Sequence, residues 1–143
     1  MIDRASILAI IPHQGAMCLW DEVVAWDAQA IQLRTGTHRA AGNPLRRDGR
    51  LHAVHLCEYG AQAMAVHGGL RARERGERAG QGMLVALRGV ALHVARIDDL
   101  PGDLECEAQA LVVGESGQQY AFRIHHGGVL LAEGRAAVLL RGG

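Results

Sequence analysis

The sequence predicts an α+β domain in which an antiparallel sheet curls around one long central helix. Two observations favour this class. Residues 51–70 form a long apolar run with the character of a helix, and residues 103–141 contain three strand-like segments separated by glycine-rich turns. No other element is large enough to cover the apolar face of such a sheet. With 143 residues, 49% of them hydrophobic, the chain suits one domain, residues 1–143, with its own core.

The composition argues against several classes of protein. The 15 basic residues balance the 15 acidic ones, whereas nucleic-acid binding needs a basic surface that neutralises phosphates. The three cysteines lie far apart, so neither a disulfide framework nor a metal site is expected. The chain shows no signal-peptide pattern and no apolar run of membrane-spanning length. We therefore expect a soluble cytoplasmic protein with no nucleic-acid or membrane partner.

The N-terminal third predicts one short helix and one hairpin. Ser6 is a suitable N-cap for a helix that stops before the first proline. Residues 17–27 and 31–39 have strand character and should pair through a short turn. Residues 40–50 form a loop by composition, and Asp48 near its end is a suitable N-cap for the following helix.

The rest of the chain predicts the long helix followed by strands. The helix over 51–70 should end at the glycine pair Gly68–Gly69, and residues 71–82 read as a solvated connection. Residues 83–97 are long enough for one bent strand, with a bulge near Gly89. The three segments that follow should form an antiparallel meander because their connections are short.

Glu58 is the only residue of the 51–70 helix that is fully charged at neutral pH. At 100° per residue it falls in the middle of an apolar stripe, formed by Leu51, Val54, Ala61 and Ala65. A carboxyl group that loses its hydration has a raised pKa, as a general acid needs. The alternative is an ion pair with an arginine of the sheet, such as Arg88 or Arg123. The helix pattern alone supports both interpretations.

Two segments resemble a known family. Residues 11–26, IPHQGAMCLWDEVVAW, and residues 54–67, VHLCEYGAQAMAVH, are similar to the opening motif and the central helix of hotdog-fold 3-hydroxyacyl-[acyl carrier protein] dehydratases. NPLRRDGRL and EYGAQAMAVHGG resemble more closely the dehydratase-like subunits of aryl-polyene pigment biosynthesis. The resemblance implies a hotdog fold, a sheet wrapped around the central helix. It places Glu58 on the family's catalytic acid and Gln62 on a glutamine four residues later.

The implied reaction is dehydration of a 3-hydroxyacyl thioester to the trans-2-enoyl thioester. The substrate would be carried on the phosphopantetheine of acyl carrier protein, and no other cofactor or metal would be needed. One feature departs from the family, whose catalytic histidine lies in the loop before the helix. Here that loop, residues 43–50, has no histidine. The nearest substitutes are His38, His52 and His55, or a histidine from a partner chain in a composite site.

The resemblance and the helix start together give a set of site predictions. We expect His55 and His38 to act with Glu58 as catalytic groups. The expected substrate-binding residues are Gln62, His13, Leu51, His52 and Ala53. Within this set, backbone N–H groups near Leu51 to Ala53 would polarise the thioester carbonyl. We expect His13 to order its loop through a backbone hydrogen bond.

A basic cluster precedes the helix and suggests a partner. It consists of Arg46, Arg47 and Arg50. The resemblance implies an acidic carrier protein, which such a rim would steer electrostatically. It also implies a homodimer, or a heterodimer with a related hotdog subunit. Two other functions stay open: an acyl thioesterase of the same fold, and a non-catalytic subunit that positions an active homologue.

Overall fold

The computed structural model describes residues 1–77, 82–114 and 116–140. The strands are β1 (Ile2–Asp3), β2 (Glu22–Trp26), β3 (Ala30–Thr35), β4 (Gly82–Leu92), β5 (Leu104–Val113), β6 (Gly117–His126) and β7 (Val129–Leu140). The helices are α1 (Arg4–Leu8) and α2 (Leu56–Glu74), with short 3-10 turns at Gly15–Met17, Thr37–Arg39 and Ala53–His55. In these ranges no helix is long and apolar enough to cross a membrane.

One antiparallel sheet holds all seven strands, in the order β1-β2-β3-β5-β6-β7-β4. Helix α2 packs on β3, β5, β6 and β7, and its buried side chains form the centre of the core. Gly60 makes this packing close, because a Cβ there would lie 2.7 Å from the ring of Phe122 on β6. The predicted α+β class and the hotdog arrangement of sheet and helix are therefore confirmed.

The predicted ends of the central helix are wrong. Helix α2 begins at Leu56, after a 3-10 turn that the side chain of His52 caps by accepting the Val54 N–H at 2.9 Å. Asp48 is not the N-cap. The helix also runs through Gly68–Gly69 to Glu74. Gly69 serves packing instead of termination, since a Cβ there would lie 2.9 Å from the carbonyl oxygen of Ile10.

Most of the remaining elements agree with the sequence prediction. The β2–β3 hairpin, the bulge near Gly89 (φ +60°) and the β5–β6–β7 meander are all present. The cap of α1 differs: the N–H of Ser6 donates to the carboxylate of Asp3, so Asp3 is the N-cap. The predicted connection over 71–82 is shortened by the end of α2, and residues 78–81 lie outside the described ranges.

Strand β4 forms one edge of the sheet and is poorly covered. Its second edge has no partner strand within the part of the chain that the structure describes. Six large apolar side chains on it are 36–52% exposed: Met83, Leu84, Val85, Leu87, Val90 and Leu92. Val90 approaches Gly134 beside the Phe122 ring, so the inward face of the sheet continues onto this strand. The core surface thus extends to an edge where little covers it.

Candidate active site

Glu58 lies in the first turn of α2, with 35% of its side chain exposed. Its carboxylate accepts a hydrogen bond of 3.3 Å from the amide of Gln62, one helical turn further on. Within the described ranges neither Arg88 nor Arg123 forms an ion pair with it. The arginine-pair interpretation is therefore not what the structure has, and the carboxylate is neither buried nor free in bulk water.

Gln62 is completely buried and connects three parts of the site. Its Oε1 accepts the N–H of Leu19 at 2.9 Å, and its Nε2 donates to the carbonyl of Met17 at 2.7 Å as well as to Glu58. Both hydrogens of the amide are thus used inside the chain. Gln62 fixes the Glu58 carboxylate against the segment that precedes β2.

His13 is the histidine that the structure brings to Glu58. Its Nε2 lies 3.7 Å from the Glu58 Oε1, and 29% of its side chain is exposed. The other ring nitrogen, Nδ1, is buried and has no hydrogen-bond partner in the described part of the chain. The expectation that His13 orders its loop through a backbone hydrogen bond is therefore wrong. The loop is held instead by Gln14, which donates to the carbonyls of Leu8 and Ile11 at 2.8 and 3.0 Å.

His38 is directed away from this pair. It is fully buried in the turn after β3, and its Nε2 bonds the carbonyl of Leu100 at 2.9 Å. Burial lowers its pKa below the ordinary histidine value. Among the described residues His38 makes no hydrogen bond or ion pair with Glu58 or Gln62, and the structure does not bring this predicted catalytic residue to the carboxylate.

His52 and His55 both lie at the start of α2. His52 is exposed and its Nδ1 is occupied as the cap of Val54. His55 is half-buried, and burial lowers its pKa, followed by the positive charges of His52 and Arg47, while Glu58 opposes the shift. Among the described residues His55 makes no hydrogen bond to Glu58. It lies within electrostatic reach of the carboxylate without contacting it.

The backbone N–H groups that we expected to polarise the thioester carbonyl already donate hydrogen bonds within the chain. The N–H of Leu51 donates to the Asp98 carboxylate at 2.8 Å, and the N–H of Ala53 donates to the Ala95 carbonyl at 2.9 Å. The Arg96 guanidinium, helped by the Leu51 N–H, holds the pKa of Asp98 well below its usual range. These contacts anchor the segment before α2, and they correct the expectation that its amides are free to bind a thioester carbonyl.

The basic cluster before α2 lies on a hydrogen-bonded turn. Asp48 and Gly49 have positive φ angles of 53° and 74°, and the backbones of Arg47 and Arg50 exchange hydrogen bonds of 2.8 and 2.9 Å. This is the geometry of a two-residue hairpin turn. Both flanking arginines are exposed, whereas Arg46 is half-buried and donates to the carbonyls of Gly49 and His38. Arg46 therefore holds the loop, and Arg47 and Arg50 are the cations that face solvent.

The cysteines and the possible metal ligands of the described residues lie apart from Glu58 in their hydrogen bonding. Cys18 and Cys106 are buried and Cys57 is half-buried, and burial raises the pKa of each thiol. In residues 1–77, 82–114 and 116–140, no three His, Cys, Asp or Glu side chains cluster in a way that could hold a metal ion. The two ionisable groups that the structure brings together at the start of α2 are the carboxyl group of Glu58 and the imidazole of His13.

A wrapped antiparallel sheet, with one carboxylate on the first turn of its central helix and an imidazole facing that carboxylate, defines a hotdog-fold protein. The chain belongs to the ApeP-like family, described as ApeP dehydratase, whose sequence model matches residues 5–141. No curated protein sequence matches the chain. Membership of this family confirms the resemblance seen in the sequence.

Solved structures share the fold. "The Dehydratase Heterocomplex ApeI:P" from Xenorhabdus doucetiae superposes with a TM-score of 0.81 at 24% identity, covering 92% of this chain and 88% of that one. A hypothetical thioesterase protein with coenzyme A from Streptococcus pneumoniae has a TM-score of 0.61 at 13% identity, with 85% of each chain covered. AziG from S. sahachiroi has a TM-score of 0.61 at 18% identity, covering 85% of this chain and 91% of that one. At these identities the likenesses establish the hotdog fold.

Proposed function

We propose that this chain takes part in the dehydration of a 3-hydroxyacyl thioester, carried on acyl carrier protein, to the trans-2-enoyl thioester. The observation that carries the proposal is the placement of Glu58. In a chain of the ApeP-like dehydratase family, the carboxyl group is half-exposed on the central helix and held in orientation by Gln62. Dehydration needs an acid that protonates the leaving hydroxyl at C3 and a base that removes the proton at C2. Glu58 is the acid of this proposal.

The substrate brings the only prosthetic group that the proposal requires. The phosphopantetheine arm of the carrier would deliver the thioester, and the negative surface of a carrier protein would be attracted by Arg47 and Arg50. These two arginines project from a rigid turn, and Arg47 is close enough to His55 to influence its pKa. The carrier would therefore dock beside the first turn of α2, where Glu58 lies.

We further propose that a related hotdog subunit covers the edge strand β4. The support is the row of exposed apolar side chains on a strand whose second edge is unpaired in the described residues. An edge of this kind readily accepts a further strand through backbone hydrogen bonds. The similar structure from Xenorhabdus doucetiae is a heterocomplex. This favours a heterodimer over a homodimer as the working assembly.

The function is tested with Glu58→Gln in the complex of this chain and its related subunit, assayed on a 3-hydroxyacyl carrier protein. Loss of the acid should lower kcat by about 100-fold or more, since general acid catalysis typically contributes that much. Glu74→Gln at the exposed end of α2 is the control and should act as wild type. If the Glu58 variant dehydrates the substrate as fast as wild type, the chain is a non-catalytic subunit.

The same assay also tests whether Arg47 and Arg50 bind the carrier protein. Reversing the charge of both Arg47 and Arg50 should raise KM for the carrier-bound substrate in a salt-dependent way, and leave a small pantetheine thioester unaffected. Arg135→Glu, at an exposed arginine of β7, is the matched control. Release of free thiol without formation of an enoyl product would identify a thioesterase, the alternative enzymatic activity expected for this fold.

A further inference from the structure

We infer that His13 of this same chain is the base of the reaction, so that one chain carries both the acid and the base of its site. This inference rests on the proposed function. It differs from a composite site in which a partner supplies the histidine. The dehydratase-like loop histidine is missing from residues 43–50, and the structure brings a histidine from the N-terminal segment to Glu58 in its place.

The first support is the geometry of the pair. The His13 Nε2 and the Glu58 Oε1 are 3.7 Å apart. That separation is longer than a hydrogen bond, which joins nitrogen and oxygen at 2.7–3.2 Å, so the two groups face each other without satisfying each other. Catalytic contacts are often long before the substrate binds. The gap leaves both groups able to act on two neighbouring carbons of one acyl chain.

The second support is the state of the other ring nitrogen. The His13 Nδ1 is one of three buried side-chain polar atoms that have no hydrogen-bond partner among the described residues. Leaving such an atom unpaired costs about 1–3 kcal/mol. Native proteins keep few of these atoms, and those that persist call for an explanation such as a catalytic role. A histidine that only ordered its loop would have its nitrogen bonded to the backbone.

The third support is that hydrogen bonds tie the segment that carries His13 to both helices. Gln62 links Glu58 to Met17 and Leu19, which follow the His13 turn in the chain. Arg4 donates to the carbonyl of Gly15 at 3.0 Å and so ties the same turn to α1. A site built from two parts of one chain in this way is positioned before any substrate or partner arrives.

Five of the other seven histidines have partners of their own. His38 bonds Leu100, His52 caps Val54, His67 bonds Tyr120 and Asp27, His93 lies near Glu133, and His126 bonds Pro101. Within the described residues, His13 is the histidine that lies within 4 Å of a Glu58 carboxylate oxygen. His55 is within electrostatic reach of Glu58 but makes no ion pair with it. His125, near the end of β6, makes no ion pair with Glu58 among the described residues and is the matched control.

The step balances without any further reactant. The Nε2 of neutral His13 takes the proton from C2, and the electrons of that C–H bond form the C2=C3 double bond. The C3–O bond breaks as the carboxylic acid of Glu58 gives its proton to the leaving hydroxyl, which departs as water. The imidazolium of His13 then returns its proton to the Glu58 carboxylate across the gap. The net change is one 3-hydroxyacyl thioester converted to one enoyl thioester and one water.

The experiment compares His13→Gln and His13→Ala with His125→Gln and Glu58→Gln, each in complex with the related subunit. We expect both His13 variants to lose about 100-fold or more in kcat with little change in KM, and His125→Gln to stay near wild type. The acidic limb of the kcat/KM pH profile, where the base becomes protonated, should be absent from the residual activity of His13→Gln. Added imidazole should restore part of the activity of His13→Ala, because the site is partly open to solvent.

The outcomes separate this inference from the proposed function. Wild-type rates in both His13 variants, together with an inactive Glu58→Gln, would overturn the intrachain base and leave the dehydratase intact. A loss that imidazole does not rescue and that leaves the pH profile unchanged would make His13 a structural residue and overturn the inference as well. Circular dichroism and the melting temperature of each variant show whether a loss of rate is a loss of folding.

Discussion

At the scale of single residues, His67 shows how a titratable group can be built into the core. Its ring is fully buried, with Nδ1 2.5 Å from the Tyr120 hydroxyl and Nε2 2.7 Å from the Asp27 carbonyl. Because a carbonyl can only accept, Nε2 carries the hydrogen and Nδ1 accepts from the hydroxyl. The contacts therefore select the neutral form with the hydrogen on Nε2.

This arrangement predicts a dependence of stability on pH. Burial, and then the nearby Arg71, lower the pKa of His67, so the unfolded chain binds the proton more readily than the folded chain does. Stability is then complete above the unfolded histidine pKa of about 6.5 and is lost as the pH falls below it. The buried His38 shifts in the same direction.

We expect the free energy of unfolding in urea to be lower at pH 5.5 than at pH 7.5. His67→Gln should reduce that difference, although it lowers stability at both pH values because it disturbs the contacts with Tyr120 and Asp27. An equal pH dependence in wild type and variant would show that His67 does not contribute to it.

At the scale of elements, two glycines of α2 differ in what surrounds them. A Cβ added at Gly60 would lie 2.7 Å from the Phe122 ring, which is also confined by Gly134 on β7, where a Cβ would lie 3.1 Å away. A Cβ at Gly68 would meet only the side-chain oxygen of Gln118, at 3.8 Å. Both glycines lie in the same helix, so helix propensity favours alanine equally at the two positions.

We expect Gly60→Ala to lower the free energy of unfolding by about 1–3 kcal/mol through overpacking. Gly68→Ala is the matched control and should be neutral or stabilise the chain by up to about 1 kcal/mol, the usual gain when alanine replaces glycine in a helix. Thermal unfolding of the two variants measures the difference. Equal melting temperatures would mean that Phe122 can move aside.

The same elements show what the sequence could and could not predict. The apolar run identified α2 and the position of Glu58 on it, because helical periodicity is a local signal. The ends of α2 were missed, since Gly69 is kept for its contact with Ile10 and not as a stop signal. The Asp48–Gly49 turn has a local signature, an Asp-Gly pair of the kind that favours two-residue hairpin turns, and the loop prediction did not use it.

The candidate site was predicted in part for a similar reason. Glu58 and Gln62 follow from the helix motif, but the pairing of His13 with Glu58 depends on how the N-terminal segment packs on α2. That packing is a long-range contact, and no pattern near His13 reveals it. His38 and His52 were chosen for their closeness in sequence to the helix, and both proved to be occupied by other partners.

At the scale of the whole molecule, the edge strand β4 determines how the chain can assemble. Exposed apolar side chains of this strand, among them Leu87 opposite the buried Ala136 and Val90 beside Gly134, continue the inner face of the sheet beyond β7, where α2 does not provide the main cover. A strand and helix from a second hotdog subunit would bury this surface, and apolar burial contributes about 25 cal/mol for each Å² removed from water. In the proposed heterodimer, the second subunit covers strand β4.

We expect the double variant Leu87→Arg, Val90→Arg to abolish co-purification with the related subunit, because charges on this edge oppose burial. Val129→Arg, at a 63% exposed apolar residue that begins β7, is the matched control and should leave assembly unchanged. Light scattering after size-exclusion chromatography measures the mass of each complex. If the double variant forms a normal heterodimer, the interface lies on another surface.

The uncovered strand also bears on how a cell must produce this chain. Any copy made without a companion would carry an adhesive edge that joins its neighbours into aggregates. Quality-control proteases would compete with aggregation for such orphan copies. The two chains therefore have to be produced in equal amounts. Overproduction of this chain alone should yield inclusion bodies, whereas co-expression with the related subunit should yield soluble protein.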